Sequence, residues 1–172
     1  SPLQEPAKSF LAICEERKIP VWSEIEFFAR SLAALSRMAT EADTKYQPNI
    51  LAITGTNGKT TTSALTAQIC ERAGRHVALA GNISPAALEK LSSALNEADC
   101  FADLPHIWVL ELSSFQLHFT HTLNPTAATI LNLSQDHLDW HGDMQAYATA
   151  KAAIFGPSSI CIVNRDEVEL NR

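Results

Sequence analysis

The sequence predicts a three-layer α/β fold of the P-loop type, a mostly parallel sheet flanked by helices, and three observations predict it. From Asn49 onward, apolar runs alternate with helical patterns, the signature of parallel strands joined by crossover helices. Most of those runs are near-continuous, as strands covered on both faces should be. One run leads directly into a cluster of glycines, lysine and threonine that opens a helix.

Ahead of the alternation, residues 23–35 read as a helix. Ser23 stands as N-cap, Glu26 three residues on completes a capping box, and Ile25, Phe28, Ala29 and Leu32 form one apolar stripe. The polar stretch 40–48 reads as a linker, which divides the chain into a first part, 1–47, with an entry helix, and an α/β domain at 48–172. Strands are predicted at 50–54, 76–80, 107–112, 126–131 and 160–163. Helices fall between them at 60–73, closed by Gly74, at 85–95, and at 143–155, where Asp143 can cap. In such sheets ligands sit beyond the carboxyl ends of the strands, and every chemically suggestive cluster in this chain lies there.

Composition narrows the function classes. With 172 residues, 46% hydrophobic and 19% charged, the chain has the size and balance of one globular domain. A net charge of −6 leaves no basic footprint for nucleic acid or anionic lipid, so any anionic ligand must be held locally. No apolar run approaches the roughly 20 residues that span a bilayer, and the start lacks a signal peptide's basic and apolar regions. A cytoplasmic location without membrane insertion is expected. Cys14, Cys70, Cys100 and Cys161 are far apart and are expected as free thiols. A start at Ser1 without Met, and an end at Arg172 soon after a strand, suggest an excised piece of a longer protein.

The strongest motif is Gly55-Thr56-Asn57-Gly58-Lys59-Thr60-Thr61-Thr62. Gly55 and Gly58 let backbone N–H groups turn toward phosphate oxygens at a helix N-terminus, Lys59 can reach the β- and γ-phosphates, and the Thr60 hydroxyl can ligate Mg²⁺. Ile53 stands where the common G-x-x-x-x-G-K-[ST] loop has its first glycine, so the loop is a shortened variant. Glu111 interrupts the apolar run Ile107-Trp108-Val109-Leu110, which is costly unless the carboxylate is paired or metal-bound. It could ligate Mg²⁺ through hard oxygen, or point to solvent from a frayed strand end. Asp136, His137, Asp139 and His141 form a polar cluster after the fourth strand, either a site with a metal ligand or a solvated loop. Lys151 sits at the centre of a stripe of Met144, Tyr147, Ala148 and Phe155. There it either snorkels along its stem or is functional. Desolvation would lower its pKa, and the neutral amine can add CO₂ to give a carbamate, a carboxylate-like metal ligand.

Together these residues resemble the central domain of the Mur ligase superfamily, whose phosphate loop has the same shortened G-T-N-G-K-T-T form. Within it, Leu110-Glu111-Leu112-Ser113-Ser114-Phe115-Gln116-Leu117 and Gly81-Asn82-Ile83 are similar to the branch that adds D-glutamate. Ser84-Pro85 departs from the glycine that commonly follows. Ser1-Pro2 and the segment Ile19-Pro20-Val21-Trp22-Ser23-Glu24 look like the exit from that branch's UDP-binding domain, which makes 1–47 a connector.

The resemblance implies ATP-dependent formation of an acyl phosphate on UDP-N-acetylmuramoyl-L-alanine, followed by attack of the D-glutamate amine. It implies Lys59, His137 and Lys151 as catalytic residues and Gly55, Thr56, Asn57, Gly58, Lys59, Thr60 and Thr61 as the nucleotide site. One Mg²⁺ would lie on Thr60 and Glu111, and a second on His137 and carbamylated Lys151. Asn82, Ser113, Gln116 and His137 would contact the muramoyl substrate. The whole enzyme would be a monomer, and this piece, lacking the amine-binding domain, inactive alone. Alternatives are a sister Mur ligase, a folylpolyglutamate synthase-like ligase, a P-loop nucleotide-binding switch, or an inert folded domain.

Overall fold

The computed structural model describes residues 5–166. The expectation placed on Ser1-Pro2 therefore lies outside the described residues. Five strands form one parallel sheet: β1 (Asn49–Thr54), β2 (Val77–Gly81), β3 (Ile107–Glu111), β4 (Ala127–Ile130) and β5 (Ile160–Val163), in the order β2-β3-β1-β4-β5. All five strand predictions land on these, with ends that differ by no more than a residue or so.

Because successive strand residues point to opposite faces, the sheet carries two cores. Ala52, Ala78, Ala80, Trp108, Leu110, Ala128 and Ile130 form the larger one with α2 (Glu24–Glu41), α4 (Ala87–Glu97) and α7 (Met144–Ala152). Ile53 and Val109 face the other way and meet Ala67 of α3 (Lys59–Arg72). That alternation decides the site: Thr54 shares a face with Ala52 and looks toward α7, whereas Glu111 shares one with Val109 and looks toward α3.

The N-terminal region departs from expectation in two ways. The helix predicted at 23–35 runs on to Glu41, and the stretch read as a linker contributes a core residue, Tyr46, 2% exposed. The Tyr46 hydroxyl donates to Pro105 O and accepts from Trp108 Nε1. Phe28 of α2 packs edge-on against Trp108, ring centroids 4.9 Å apart. The capping box is half formed: Ser23 Oγ accepts from Glu26 N, but the Glu26 carboxylate does not return to the cap. It is drawn instead to the backbone of residues 121 and 122, where two N–H donors outcompete one.

Among the described residues, three α-helices lie where the sequence predicts none, α1 (Glu5–Glu16), α5 (Ser114–His118) and α6 (Leu138–His141), as does a short 3₁₀ turn at Phe101–Asp103. At the far side β5 is an edge strand with Ile160, Ile162 and Val163 exposed. Among the described residues, no helix is long and apolar enough to cross a membrane.

Candidate active site

The loop between β1 and α3 is shaped by its two glycines. Gly58 is the N-cap of α3 and takes a left-handed conformation at φ 79°, which an L side chain would oppose. The loop is also pinned from outside by β4's continuation. The Asn132 amide pairs with the Asn57 peptide in both directions, accepting from Asn57 N at 2.9 Å and donating to Asn57 O at 3.1 Å. Thr56 Oγ1 accepts from Ser134 N at 3.0 Å and lies 3.2 Å from the Tyr147 hydroxyl.

Lys59 opens the helix and folds back, its Nζ donating to Gly55 O and Thr56 O at 3.0 Å each. This cradles the ammonium inside the loop that would receive phosphate. One residue on, Thr60 Oγ1 donates to Glu111 Oε2 at 2.8 Å. Glu111 is 2% exposed, so the solvent-pointing alternative does not hold. Its other oxygen accepts from Asn82 Nδ2 at 3.2 Å, and its carbonyl accepts from Asn82 N at 2.7 Å. The sheet allows this approach only because Gly81 is opposite: a Cβ there would stand 2.2 Å from Glu111 O. A hydroxyl, a carboxylate and an amide side chain thus meet at the carboxyl ends of β2 and β3, a set rich in hard oxygen that fits Mg²⁺.

Lys151 enters from α7 and is 2% exposed. Its Nζ donates to Thr54 Oγ1 at 3.2 Å and to Gly55 O at 3.0 Å, and lies 4.8 Å from the centre of the Tyr147 ring. Two lysine side chains therefore share the Gly55 carbonyl. Burial, with the charge of Lys59 adding to it and Asp136 opposing it, brings the Lys151 amine down to about 7. The snorkelling alternative does not hold for a side chain enclosed to its tip.

His137 is the N-cap of α6 and is left-handed at φ 52°, held by a hydrogen bond from its N–H to Asp136 Oδ1 at 2.9 Å. Its ring packs on Phe115, centroids 4.7 Å apart, and both it and Lys151 border Tyr147. Among the described residues, no group of three or more His, Cys, Asp or Glu is placed to hold a metal. An ion at this site would therefore draw on hydroxyl, amide, backbone or phosphate oxygen beside the carboxylate.

Ser113 and Gln116 form the capping box of α5: Ser113 Oγ accepts from Gln116 N at 3.2 Å and Gln116 Oε1 accepts from Ser113 N at 3.0 Å. Of the sequence-predicted residues, Thr60, Glu111 and Asn82 are brought into direct contact, and Lys59 and Lys151 meet on Gly55 O. Thr61 is exposed on α3 and makes no described contact with the cluster's side chains. Tyr147 enters the sequence reading only as part of an apolar stripe, yet it touches the loop and Lys151 at once. Its place one turn before Lys151 on that stripe was the available signal. The pair His141 Nε2 and Ser114 Oγ, 2.9 Å apart, also escapes sequence reasoning. Burial, with the charges of His118, His137 and Lys151 behind it and Asp139 opposing, holds His141 at about 4, a neutral imidazole at ordinary pH.

Comparison with known proteins bears on this geometry. A family model described as the Mur ligase middle domain matches residues 53–172. The chain is 55% identical over all 172 residues to the UDP-N-acetylmuramoylalanine–D-glutamate ligase of Burkholderia mallei strain SAVP1, covering 100% of this chain and 32% of that protein. The chain thus spans about a third of the length of the curated relatives it matches. A solved UDP-N-acetylmuramoyl-L-alanyl-D-glutamate–2,6-diaminopimelate ligase superposes with a TM-score of 0.62 at 32% identity, covering 85% of this chain and 32% of that one. The MurF ligase of Thermotoga maritima, solved with ADP, shares the fold with a TM-score of 0.59 at 24% identity, covering 83% of this chain and 33% of that one.

Proposed function

The chain belongs to the Mur ligase family, and from that premise we propose that it is the ATP-binding part of a ligase that adds D-glutamate to UDP-N-acetylmuramoyl-L-alanine in peptidoglycan precursor synthesis. The observation that carries the reading is the Thr60–Glu111 contact beside a loop that cradles the Lys59 ammonium, at the carboxyl ends of β1 and β3, in a chain 55% identical throughout to a D-glutamate ligase. The reading assigns ATP and the acceptor to this chain and the amine site to the remainder of the protein, so that 1–47 is a connector and 48–172 the ATP-binding domain. It also places the protein in the cytoplasm, as a monomer.

The loop amides and Lys59 hold the β- and γ-phosphates, with Lys59 leaving Gly55 O and Thr56 O to do so. Gly55, Thr56, Asn57, Gly58, Thr60 and Thr61 complete the nucleotide site. Asn82, Ser113, Gln116 and His137 hold the acceptor with its carboxylate in line with the γ-phosphorus. A carboxylate oxygen then displaces ADP to give an acyl phosphate, and the amine of D-glutamate displaces inorganic phosphate from it. Mg²⁺ on Thr60 and Glu111 would supply charge neutralisation at the phosphates.

Lys151 carries a second assignment. With its pKa near 7, a large share of the amine is neutral at ordinary pH. The neutral amine could add CO₂ with loss of a proton, and the resulting carbamate, with His137, would hold a second Mg²⁺ and supply further charge neutralisation there. The Lys151→Ala enzyme is expected to lose activity and to regain part of it with short carboxylic acids; undiminished activity contradicts the carbamate.

The substrate assignment is tested by offering the full-length protein ATP, UDP-N-acetylmuramoyl-L-alanine and each of D-glutamate, L-glutamate, L-alanine and meso-diaminopimelate. Product is expected with D-glutamate alone. Ligation of another amine in its place overturns the assignment.

A further inference from the structure

Among the described residues, the first turn of α2 makes no hydrogen bond to the phosphate loop, yet Ser23, Glu24 and Glu26 each reach one of the two segments that carry the acceptor residues. Glu26 is 0% exposed. Its Oε2 accepts from His121 N at 2.7 Å and Thr122 N at 2.8 Å, and its Oε1 from Thr122 Oγ1 at 3.0 Å and Arg30 Nε at 2.7 Å. Burial pushes this carboxyl up, and the four donors more than reverse it, holding it at about 2. Three of those donors sit in the turn that follows α5, a few residues beyond Gln116.

A second connection runs through hydroxyls. Thr120 Oγ1 donates to Gln116 O at 2.7 Å, so Ser23 Oγ, 2.7 Å away, donates to Thr120 while accepting from Glu26 N. Ser23 N also donates to Phe119 O at 2.9 Å. The relay therefore ends on the backbone of a residue assigned to the acceptor. On the other side, Glu24 Oε1 accepts from Leu88 N, in the first turn of α4. The α4 N-cap, Ala86, has no side chain able to do this, so the cap comes from α2. Asn82 opens the connection between β2 and α4 whose far end this bond holds.

We propose that the first turn of α2 is a strut that sets both acceptor-binding segments, with Glu26, Glu24 and Thr120 as positioning residues for the acceptor and without effect on ATP. The proposal rests on the acceptor role of Asn82, Ser113 and Gln116. None of the strut's bonds touches residues 55–61, which makes the two substrates separable.

The test is steady-state kinetics of the full-length protein, varying UDP-N-acetylmuramoyl-L-alanine and ATP in turn. Glu26→Gln keeps the shape but puts an NH₂ where one carboxylate oxygen now accepts. It is expected to raise the acceptor KM about tenfold, equivalent to about 1.4 kcal/mol, with the ATP KM within about twofold of wild type. Thr120→Val, which cuts the relay and leaves the carboxylate clamp intact, is expected to raise the acceptor KM about threefold. Thr120→Ser, which keeps the hydroxyl, is expected to restore it. A purely structural role would lower kcat or raise both KM values together, and Thr120→Ser would not rescue selectively; either pattern overturns the strut. If Asn82→Ala raises the acceptor KM while Glu26→Gln and Thr120→Val leave it unchanged, the strut fails and the acceptor assignment stands. If the wild-type protein shows no saturable acceptor, both fail.

Discussion

Replacing Lys151 by Met isolates the electrostatic cost of a buried amine. The ordinary lysine value of 10.5 falls to about 7 in the folded chain, where the side chain is 2% exposed. A tenfold change in proton affinity corresponds to about 1.4 kcal/mol, so the protonated folded state carries a penalty of about 4–5 kcal/mol relative to a solvated lysine. The sign follows from proton counting. Between about 7 and 10.5 the unfolded chain holds a proton that the folded chain has released, so stability rises with pH across that window. Below it both states are protonated and the penalty is complete; above it the penalty is gone.

Lys151→Met removes the titrating group without orphaning its partners. Thr54 Oγ1 still donates to Leu112 O, and Gly55 O still accepts from Lys59. Urea unfolding of both proteins in CO₂-free buffer from pH 6 to 9.5 is the assay. The stability of wild type relative to the variant is expected to climb by about 2–3 kcal/mol between pH 7 and 9 and to flatten toward pH 6. Parallel pH profiles would refute the buried-amine argument.

Gly81→Ala places a Cβ 2.2 Å from Glu111 O at φ +117°, so β2 or β3 must shift. It is expected to cost about 3 kcal/mol or more in urea unfolding and to weaken Mg²⁺-dependent ATP binding, whereas an unchanged midpoint would show the approach is not tight. Glu111→Gln keeps a side chain that can bond Thr60 and Asn82 but removes the charge. The expected result is a thermal midpoint within a few degrees of wild type and an Mg²⁺ requirement for ATP binding raised at least about tenfold, read by isothermal titration at stepped Mg²⁺; unaltered Mg²⁺ dependence removes Glu111 from the metal site.

What the sequence disclosed follows the range of the forces involved. The phosphate loop was legible because its glycines, Lys59 and Thr60 are adjacent and flanked by a strand and a helix. Lys151 stood out because a charge on an apolar stripe contradicts the helix's own period. Contacts between distant residues were not legible: Thr60 finds Glu111 51 positions away, and Glu26 finds Thr122 96 positions away. The Glu26 case shows why local motifs mislead, since its capping-box spacing is correct and the tertiary donors still win. Helices α5 and α6, at five and four residues, complete too few turns for any periodicity to register. Tyr147 was hidden by its double nature, an apolar ring in the stripe and a hydroxyl on the loop.

In the proposed reaction this chain positions ATP so that an acceptor carboxylate takes its γ-phosphoryl group. Supplying the full-length protein with UDP-N-acetylmuramoyl-L-alanine carrying ¹⁸O in the alanyl carboxylate, together with ATP and D-glutamate, tests it by mass analysis of the phosphate released. ADP and inorganic phosphate bearing one ¹⁸O from the carboxylate are expected for each amide formed. Amide formation with unlabelled phosphate, or with AMP and pyrophosphate as products, would contradict it.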